Sequence, residues 1–206
     1  MTTMPFAMAH ALAPRYCHEK YVIRRKVFTI LSGKFHIYDD EGNLAFFSKQ
    51  KAFKLKEDIR IFADEAMEVE LLVVKARSII DFGATYDVFD STQGGALVGS
   101  LRRKGLKSMA VDEWLFLDAS GREMGSITED SVALALLRRF LLGNLLPQRY
   151  TGRIGGAEVC EFKRNFNPFV SKVELDFSLD ANGLLDRRLG IVAAVLLVAV
   201  EGKQAG

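Results

Sequence analysis

The stretch that decides the fold of this chain is "RRLGIVAAVLLVAV", Arg187 to Val200. Its uncharged run from Leu189 to Val200 would rise about 18 Å as a helix, whereas the hydrocarbon core of a bilayer is roughly 30 Å thick. Charged residues close both ends of the run, so it is too short to span a membrane. A helix that is apolar on every side must instead be surrounded by protein. Its Val and Ile content leaves a buried β-strand as the alternative, but the length and the Ala-rich middle favour a helix.

Composition predicts one globular domain. The chain has 206 residues, of which 49% are hydrophobic and 26% charged, enough to bury a single sizeable core. A net charge of +2 argues against nucleic acid as a partner, so any ligand must be sought at local clusters. Cys17 and Cys160 form neither a C-x-x-C pair nor a disulfide framework, which favours a reducing cytosol and inert thiols.

The first residues carry no basic region followed by an unbroken apolar run, so we expect a loose extension rather than a signal peptide. Residues 1–20 are therefore predicted as an N-terminal extension, 21–201 as the folded domain and 202–206 as a tail.

A recurring pattern of apolar residues, Asp, Gly and further apolar residues predicts turns. It occurs in "IYDDEGNLAFF", "VFDSTQGGALVG", "FLDASGREMGSI" and "SLDANGLLD". The Asp side chain can accept hydrogen bonds from downstream amides, and Gly supplies the positive φ of a reversal. Flanking segments such as "KFHIYD" and "KVELDFSLD" alternate with period two, as strands with one buried face do. The pattern predicts a long antiparallel meander of hairpins.

"TEDSVALALLRRFLLGNLLPQRY" interrupts the β pattern and predicts a helix of about three turns. Asp130 or Ser131 can begin it, Gly143 or Asn144 can end it, and Pro147 follows. One simple arrangement buries an apolar helix at the end of an antiparallel β-protein. The sheet closes into a barrel, and the helix fills a lumen that strands alone would leave empty.

Segments along most of the chain resemble the bacterial branch of the LURP-one-related proteins, within the superfamily of tubby carboxyl-terminal domains and phospholipid scramblases. They include "YVIRRKVF", "GKFHIYDDEGN", "FFSKQKAFKLKEDIRIF", "LRRKGLKS", "PQRY" and "LDRRLGIVAAVLL". The resemblance implies a closed antiparallel β-barrel of about twelve strands around a central hydrophobic C-terminal helix. Tubby domains bind phosphoinositides and scramblases are linked to lipid movement and calcium, so the resemblance points to binding rather than to one reaction.

Motifs for catalysis are weak in this sequence. "GGALVGS" has Ser100 where a phosphate-binding loop needs Lys, and "TGRIGGAE" is followed by no helix, so both are predicted as turns. The sequence has no G-x-S-x-G nucleophile elbow. The three histidines have no metal-ligand spacing, and His36 is expected to be a solvated or hydrogen-bonded residue on a strand face. We therefore expect a protein that is not an enzyme and that needs no cofactor.

Basic clusters are the candidate binding residues. Arg24, Arg25 and Lys26 belong to the first strand region. The predicted site for an anionic head group consists of Lys49, Lys51, Lys54, Lys56, Arg102, Arg103, Lys104 and Lys107. Alternate residues of a strand share a face, so we expect paired ammonium groups on the outer surface, with the arginine segment beside them. The alternative is a solvated outer face that protects strand edges and is neutralised by nearby acidic residues.

A calcium site is a second, weaker candidate, at Asp176, Asp180, Asn182 and Asp186. Scramblases carry a proposed calcium-binding segment before their last helix, and hard oxygen ligands can hold that ion. The EF-hand spacing is not met. A turn at Asp180 and a helix cap at Asp186 are the favoured alternative.

These patterns predict a non-enzymatic binding protein with anionic phospholipid head groups as its ligand. It would be cytoplasmic and peripheral at the membrane, with no transmembrane span. The competing hypothesis is a cytoplasmic scaffold or regulatory protein that recognises a protein partner and has no lipid affinity.

Overall fold

The structure is a computed structural model that describes residues 13–26, 32–51, 58–80, 83–104, 113–130, 148–165 and 170–201. These ranges contain twelve strands, one α-helix and two short 3-10 turns, Pro14–Tyr16 and Ser91–Gln93. The strands are β1 Lys20–Lys26, β2 Ser32–Tyr38, β3 Leu44–Lys51, β4 Ile59–Phe62, β5 Glu70–Ile80, β6 Gly83–Asp90, β7 Ala96–Arg103, β8 Glu113–Leu117, β9 Glu123–Glu129, β10 Gln148–Ile154, β11 Ala157–Asn165 and β12 Val170–Asp176. Helix α1, Arg187–Glu201, follows β12.

Each strand pairs antiparallel with its neighbour in the chain, and the sheet closes when β12 pairs with β1. In that closing pair Lys20 lies opposite Asp176 and Lys26 lies opposite Val170. Closure removes the open edges that an antiparallel sheet would otherwise expose. The predicted barrel of about twelve strands is confirmed.

Helix α1 fills the barrel. Every residue from Leu189 to Ala199 is buried, and Ala194 to Leu196 are fully enclosed at 0% exposure. Inward side chains from the strands, such as Ile23, Val88 and Phe116, belong to the same hydrophobic cluster as the helix. The predicted buried helix is confirmed, and the alternative of a buried strand is wrong. Among the described residues, no helix is both long enough and apolar enough to cross a bilayer.

The two ends of the barrel differ in charge. Even-numbered strands finish where α1 begins, and the connections there are rich in carboxylates, so we call this the acidic end. Its described acidic residues include Asp39, Asp40, Glu41, Asp64, Glu65, Glu68, Asp118 and Asp180. Odd-numbered strands finish at the opposite end, which we call the basic end. The strand halves near it carry Arg24, Arg25, Lys34, Lys49, Arg102, Arg103, Arg164 and Lys172.

Three of the four predicted Asp-Gly turns are hairpins at the acidic end. The carboxylate of Asp39 accepts hydrogen bonds from the amides of Glu41 and Asn43, at 3.1 and 2.8 Å. Asp90 and Asp118 cap the β6–β7 and β8–β9 turns in the same way. The fourth, at Asp180, is also a turn as predicted, and it leads from β12 into α1.

The amino-terminal segment is not loose over its described part, which corrects the expectation from sequence. Tyr16 is buried in the core, and Nη1 of Arg15 donates to the carbonyls of Ala45 and Ala63 at 3.2 and 3.4 Å. The Tyr21 hydroxyl donates back to the carbonyl of Arg15 at 2.9 Å. The segment therefore packs over the acidic end. The helix predicted after Asp130 lies outside the described residues.

Candidate anion-binding sites

The predicted outer site is only partly described. Lys54, Lys56 and Lys107 lie outside the described residues, and Lys51 is the last residue of β3. Lys49 is exposed on β3, while Arg102 and Lys104 are exposed at the end of β7 and just after it. Both strands finish at the basic end of the barrel.

The two halves of this site do not lie on neighbouring strands. β4, β5 and β6 separate β3 from β7, so four strand spacings, roughly 19 Å along the wall, lie between them. The expectation that the arginine segment sits beside Lys49 is wrong. A sequence shows which residues alternate on a strand, but it does not show how many strands separate two segments.

Much of the outer wall is electrically neutralised, as the alternative interpretation anticipated. Lys104 pairs with Glu113 at 2.8 Å, Arg77 with Asp87 at 2.6 Å and Arg149 with Glu161 at 2.6 Å. Similar pairs join Arg60 to Glu70, Arg153 to Glu158, Lys163 to Glu161 and Lys172 to Glu174. Most of these pairs cross between neighbouring strands, the arrangement that favours an antiparallel sheet.

Lys34 and Lys49 are an exception to this pairing. They lie directly opposite each other on β2 and β3, and both are exposed. Among the described residues, neither ammonium group has a carboxylate partner. Like charges directly opposite each other destabilise a sheet, so this outer lysine pair is an uncompensated positive site. Arg24 on β1 adds a third positive charge to this outer face. It lies opposite His36, which is two residues after Lys34 on β2, and its guanidinium carbon is 5.1 Å from the centre of the Tyr38 ring.

Arg25 faces the inside of the barrel. It follows the buried residues Tyr21 and Ile23 at alternate positions of β1. It lies opposite Phe35 on β2 and Ser171 on β12. Its guanidinium carbon is 5.4 Å from the centre of the Phe35 ring, so the side chain leans towards β2. A Cβ at Gly33 would lie 3.1 Å from Arg25 Nε, which means that the missing side chain makes room for the guanidinium.

Within the described part of the chain, three buried polar atoms on β12, β1 and β3 have no hydrogen-bond partner: Ser171 Oγ, Arg25 Nε and Ser48 Oγ. Ser48 lies opposite Phe35, so Ser171, Arg25, Phe35 and Ser48 form one row across β12, β1, β2 and β3. We call the two serines and Arg25 the inner arginine site. Burial lowers the pKa of Arg25, and no neighbouring carboxylate offsets that effect.

Other arginines also face inwards at the basic end. Arg103 continues the inward row of Gly99 and Leu101 and lies opposite the buried Trp114. Arg164 lies opposite Val173 and donates to Oε1 of Gln148 at 3.0 Å. Sequence reasoning grouped Arg25 and Arg103 with the outer basic clusters and did not single out Arg164. Strand alternation could have shown that some of them face inwards, since two successive residues on a strand, such as Arg24 and Arg25, cannot both face outwards.

The proposed calcium ligands serve the backbone. Asp180 is buried and accepts hydrogen bonds from the amides of Leu184 and Leu185, at 2.8 and 3.0 Å. Asp176 Oδ2 lies 3.1 Å from Lys20 Nζ, and Asn182 is exposed. Asp186 accepts from the Arg188 amide at 2.9 Å, as a helix cap does. Within the described part of the chain, no three His, Cys, Asp or Glu side chains form a group that could hold a metal ion.

Arg188 ties the start of α1 to the barrel wall. Its Nη1 lies 2.6 Å from Asp90 Oδ2 and its Nη2 lies 2.6 Å from Asp186 Oδ2. The hydrogen bond with Asp186 and the charges of both carboxylates raise the pKa of Arg188. Burial alone would raise the pKa of Asp90, but hydrogen bonds from Thr92 and Arg188 outweigh it, and the pKa is lowered. This cluster anchors the helix at the acidic end.

Two further predictions hold in the structure. His36 Nε2 lies 3.1 Å from Glu65 Oε1 on the outer face of β2, so it is a hydrogen-bonded strand residue. Cys160 is buried, and burial raises the pKa of its thiol, which disfavours the reactive thiolate.

A closed antiparallel barrel filled by its own C-terminal helix defines the class of this protein as a tubby-like barrel. The chain belongs to the LURP-one-related family, whose family model matches residues 19–198. No curated protein and no solved structure gives a match to the chain. The match begins next to β1 and ends within α1, so it covers the whole barrel and its helix.

Proposed function

We propose that this protein is a non-enzymatic binding protein that docks the basic end of its barrel on membranes containing anionic phospholipids. The observation that carries the proposal is the outer lysine pair, Lys34 and Lys49. Two exposed like charges, opposite each other and without a described carboxylate partner, carry a stability penalty that an anionic ligand would remove. The proposed location is cytoplasmic and peripheral to the membrane.

The attraction would be electrostatic and collective. Each basic residue near an anionic membrane contributes about 1 kcal/mol, and the contribution falls off within a Debye length. Arg24 lies beside the lysine pair on the same outer face. Lys51, Lys54, Lys56, Arg102, Lys104 and Lys107 remain proposed members of this surface, whereas Arg103 faces inwards.

Vesicle flotation tests the proposal. The wild-type protein should float with phosphatidylcholine vesicles that contain phosphatidylserine and should stay behind with pure phosphatidylcholine. The double variant Lys34→Glu and Lys49→Glu should lose about tenfold or more in partitioning, since two positive charges become negative. Added salt should weaken wild-type binding.

The matched control reverses two charges at the acidic end. Lys20→Glu and Arg122→Glu change the net charge by the same amount, at side chains that are 59% and 81% exposed. This control should bind anionic vesicles as the wild type does. Equal partitioning of the two double variants would show that net charge alone acts, and equal failure of the wild type on both vesicles would exclude lipid binding.

Recognition of a protein partner is the second candidate. In the ranges that the structure describes, the exposed large hydrophobic residues are Met67, Val69, Leu179 and Leu184, and all four lie in connections at the acidic end. A protein surface suits such side chains better than anionic lipid does, because carboxylates surround them. Failure on both kinds of vesicle would favour this candidate.

A further inference from the structure

We propose that the inner arginine site, formed by Arg25, Ser171 and Ser48, binds a phosphate group inside the mouth of the barrel. The inference does not rest on membrane docking, because this site faces the lumen whereas the lysine pair faces outwards.

The first support is an uncompensated buried charge. A guanidinium that loses solvent needs an acceptor, and burying one without a partner is unfavourable. No described residue accepts a hydrogen bond from Arg25 Nε. The face of the Phe35 ring attracts the cation, but the ring accepts no conventional hydrogen bond. The Arg25 residue as a whole is partly exposed, although its Nε atom is buried.

The second support is the set of donors around Arg25. Ser171 lies directly opposite it on β12, and Ser48 lies in the same row on β3. Among the described residues, neither of these buried hydroxyls has a hydrogen-bond partner. The row thus has one hydroxyl next to Arg25 and another beyond Phe35, an arrangement that matches an anion whose oxygens point in several directions. A phosphate group meets this requirement better than a planar carboxylate does.

The third support is the space that the wall provides. Gly33 precedes Phe35 at the next inward position of β2, and a Cβ there would lie 3.1 to 3.5 Å from three atoms of the guanidinium. The glycine therefore leaves room for the guanidinium to lie against β2. Of the other inward-facing charges at this end, Arg103 and Glu129 are carried by β7 and β9, whereas Arg164 is carried by β11, next to the strand of Ser171.

The test uses inorganic phosphate with the full-length protein and a pair of matched variants. Arg24→Gln and Arg25→Gln remove the same charge from adjacent residues, one facing out and one facing in. Thermal unfolding in phosphate is compared with unfolding in sodium chloride of equal ionic strength, since a ligand that binds the folded state raises Tm. The wild type and Arg24→Gln should show the same phosphate-specific rise, and Arg25→Gln should show none.

Affinity and spectroscopy sharpen the result. Calorimetric titration should show that Arg25→Gln binds phosphate about tenfold to a hundredfold more weakly, the range for a lost hydrogen bond to a charged group. The Arg25 Nε–H signal in a nitrogen-15 spectrum should shift saturably with phosphate. If Arg25→Gln does not fold, Arg25→Lys and Ser171→Ala take its place, and each should weaken binding several-fold.

A parallel experiment identifies the source of the phosphate group. Glycerol 3-phosphate in solution is compared with phosphatidate vesicles, using Arg25→Gln on both. Its control is Arg24→Gln in solution and Arg122→Gln, at the acidic end, on vesicles. Loss of binding in Arg25→Gln alone, on either source, supports the site and identifies which source it takes. An equal response of the wild type and Arg25→Gln to every probe, or a rise in Tm that chloride reproduces, overturns the proposal.

Discussion

At the scale of single residues, Gly190 sets how closely α1 approaches the wall. A Cβ at this position would lie 2.5 Å from Cε1 and Cζ of the Phe177 ring. Replacing glycine by alanine within a helix normally stabilises it by about 1 kcal/mol. Here the added methyl overpacks the core, so we expect Gly190→Ala to lower the free energy of unfolding by about 1 to 3 kcal/mol in urea.

A second substitution isolates the cause of that loss. In the background of Phe177→Leu, where the ring is absent, Gly190→Ala should have a smaller effect or none. If Gly190→Ala stabilises the wild-type protein instead, the contact with Phe177 does not limit the approach of the helix.

Asp90 predicts an acid dependence of stability. Its pKa in the folded protein is below the value of about 3.9 in an unfolded chain. As the pH falls below about 4, the unfolded state therefore binds more protons than the folded state, and the free energy of unfolding decreases. Asp90→Asn should make this decrease shallower between pH 4 and the folded-state pKa, measured by urea unfolding at several pH values. Parallel curves for the variant and the wild type would contradict the prediction.

At the scale of elements, α1 could be predicted from sequence because its apolar residues leave no polar face, whatever surrounds it. Leu189 and Leu197 are each 1% exposed, in agreement with that reasoning. The hairpins at Asp39, Asp90 and Asp118 were also predictable, because Asx-type turns are local. Closure of the sheet was predicted because the apolar helix needs a lumen to fill, and the family resemblance agreed with it. The register of β12 on β1 depends on residues far apart in sequence and could not be predicted.

The candidate site was less predictable than the fold for the same reason. Lys49 was recognised, but its partner Lys34 was not, because their opposition depends on the register of β2 and β3. Arg25 was grouped with Arg24 as an outer residue although strand alternation separates them. Like charges that are adjacent in sequence therefore do not show that the side chains share one surface.

The helix itself gives a prediction at this scale. Leu197→Lys or Ala194→Lys would bury an ammonium group without a partner, and we expect either to destabilise the barrel by more than about 4 kcal/mol. Leu184→Lys is the matched control, because Leu184 is 45% exposed and should tolerate the charge. Circular dichroism during thermal unfolding measures all three.

Truncation before Leu189 extends the same test. Removing the helix should make the chain aggregate, because the apolar lumen would open to water. A truncated chain that remains monomeric with an unchanged β-sheet spectrum would show that the barrel does not need its helix.

At the scale of the whole molecule, the barrel is polarised along its axis. Carboxylates gather in the connections where α1 begins. Near the opposite end lie basic residues such as Lys34 and Lys49, which have no carboxylate partner among the described residues. A net charge of +2 conceals this separation, since the two ends largely cancel in the sum. An anionic surface would therefore orient the molecule as well as attract it.

The orientation can be measured with two labels. Cys17 is exposed at the acidic end, and Asp58 is exposed where β4 begins at the basic end. An environment-sensitive fluorophore on Asp58→Cys, in a Cys17→Ser background, should shift its emission to the blue when anionic vesicles are added. The same fluorophore on Cys17 of the wild type should stay in water, because Cys160 is buried and does not compete for the label. Docking through the acidic end would reverse the two responses, and equal shifts at both labels would mean that the polarity of the barrel does not direct how it meets the membrane.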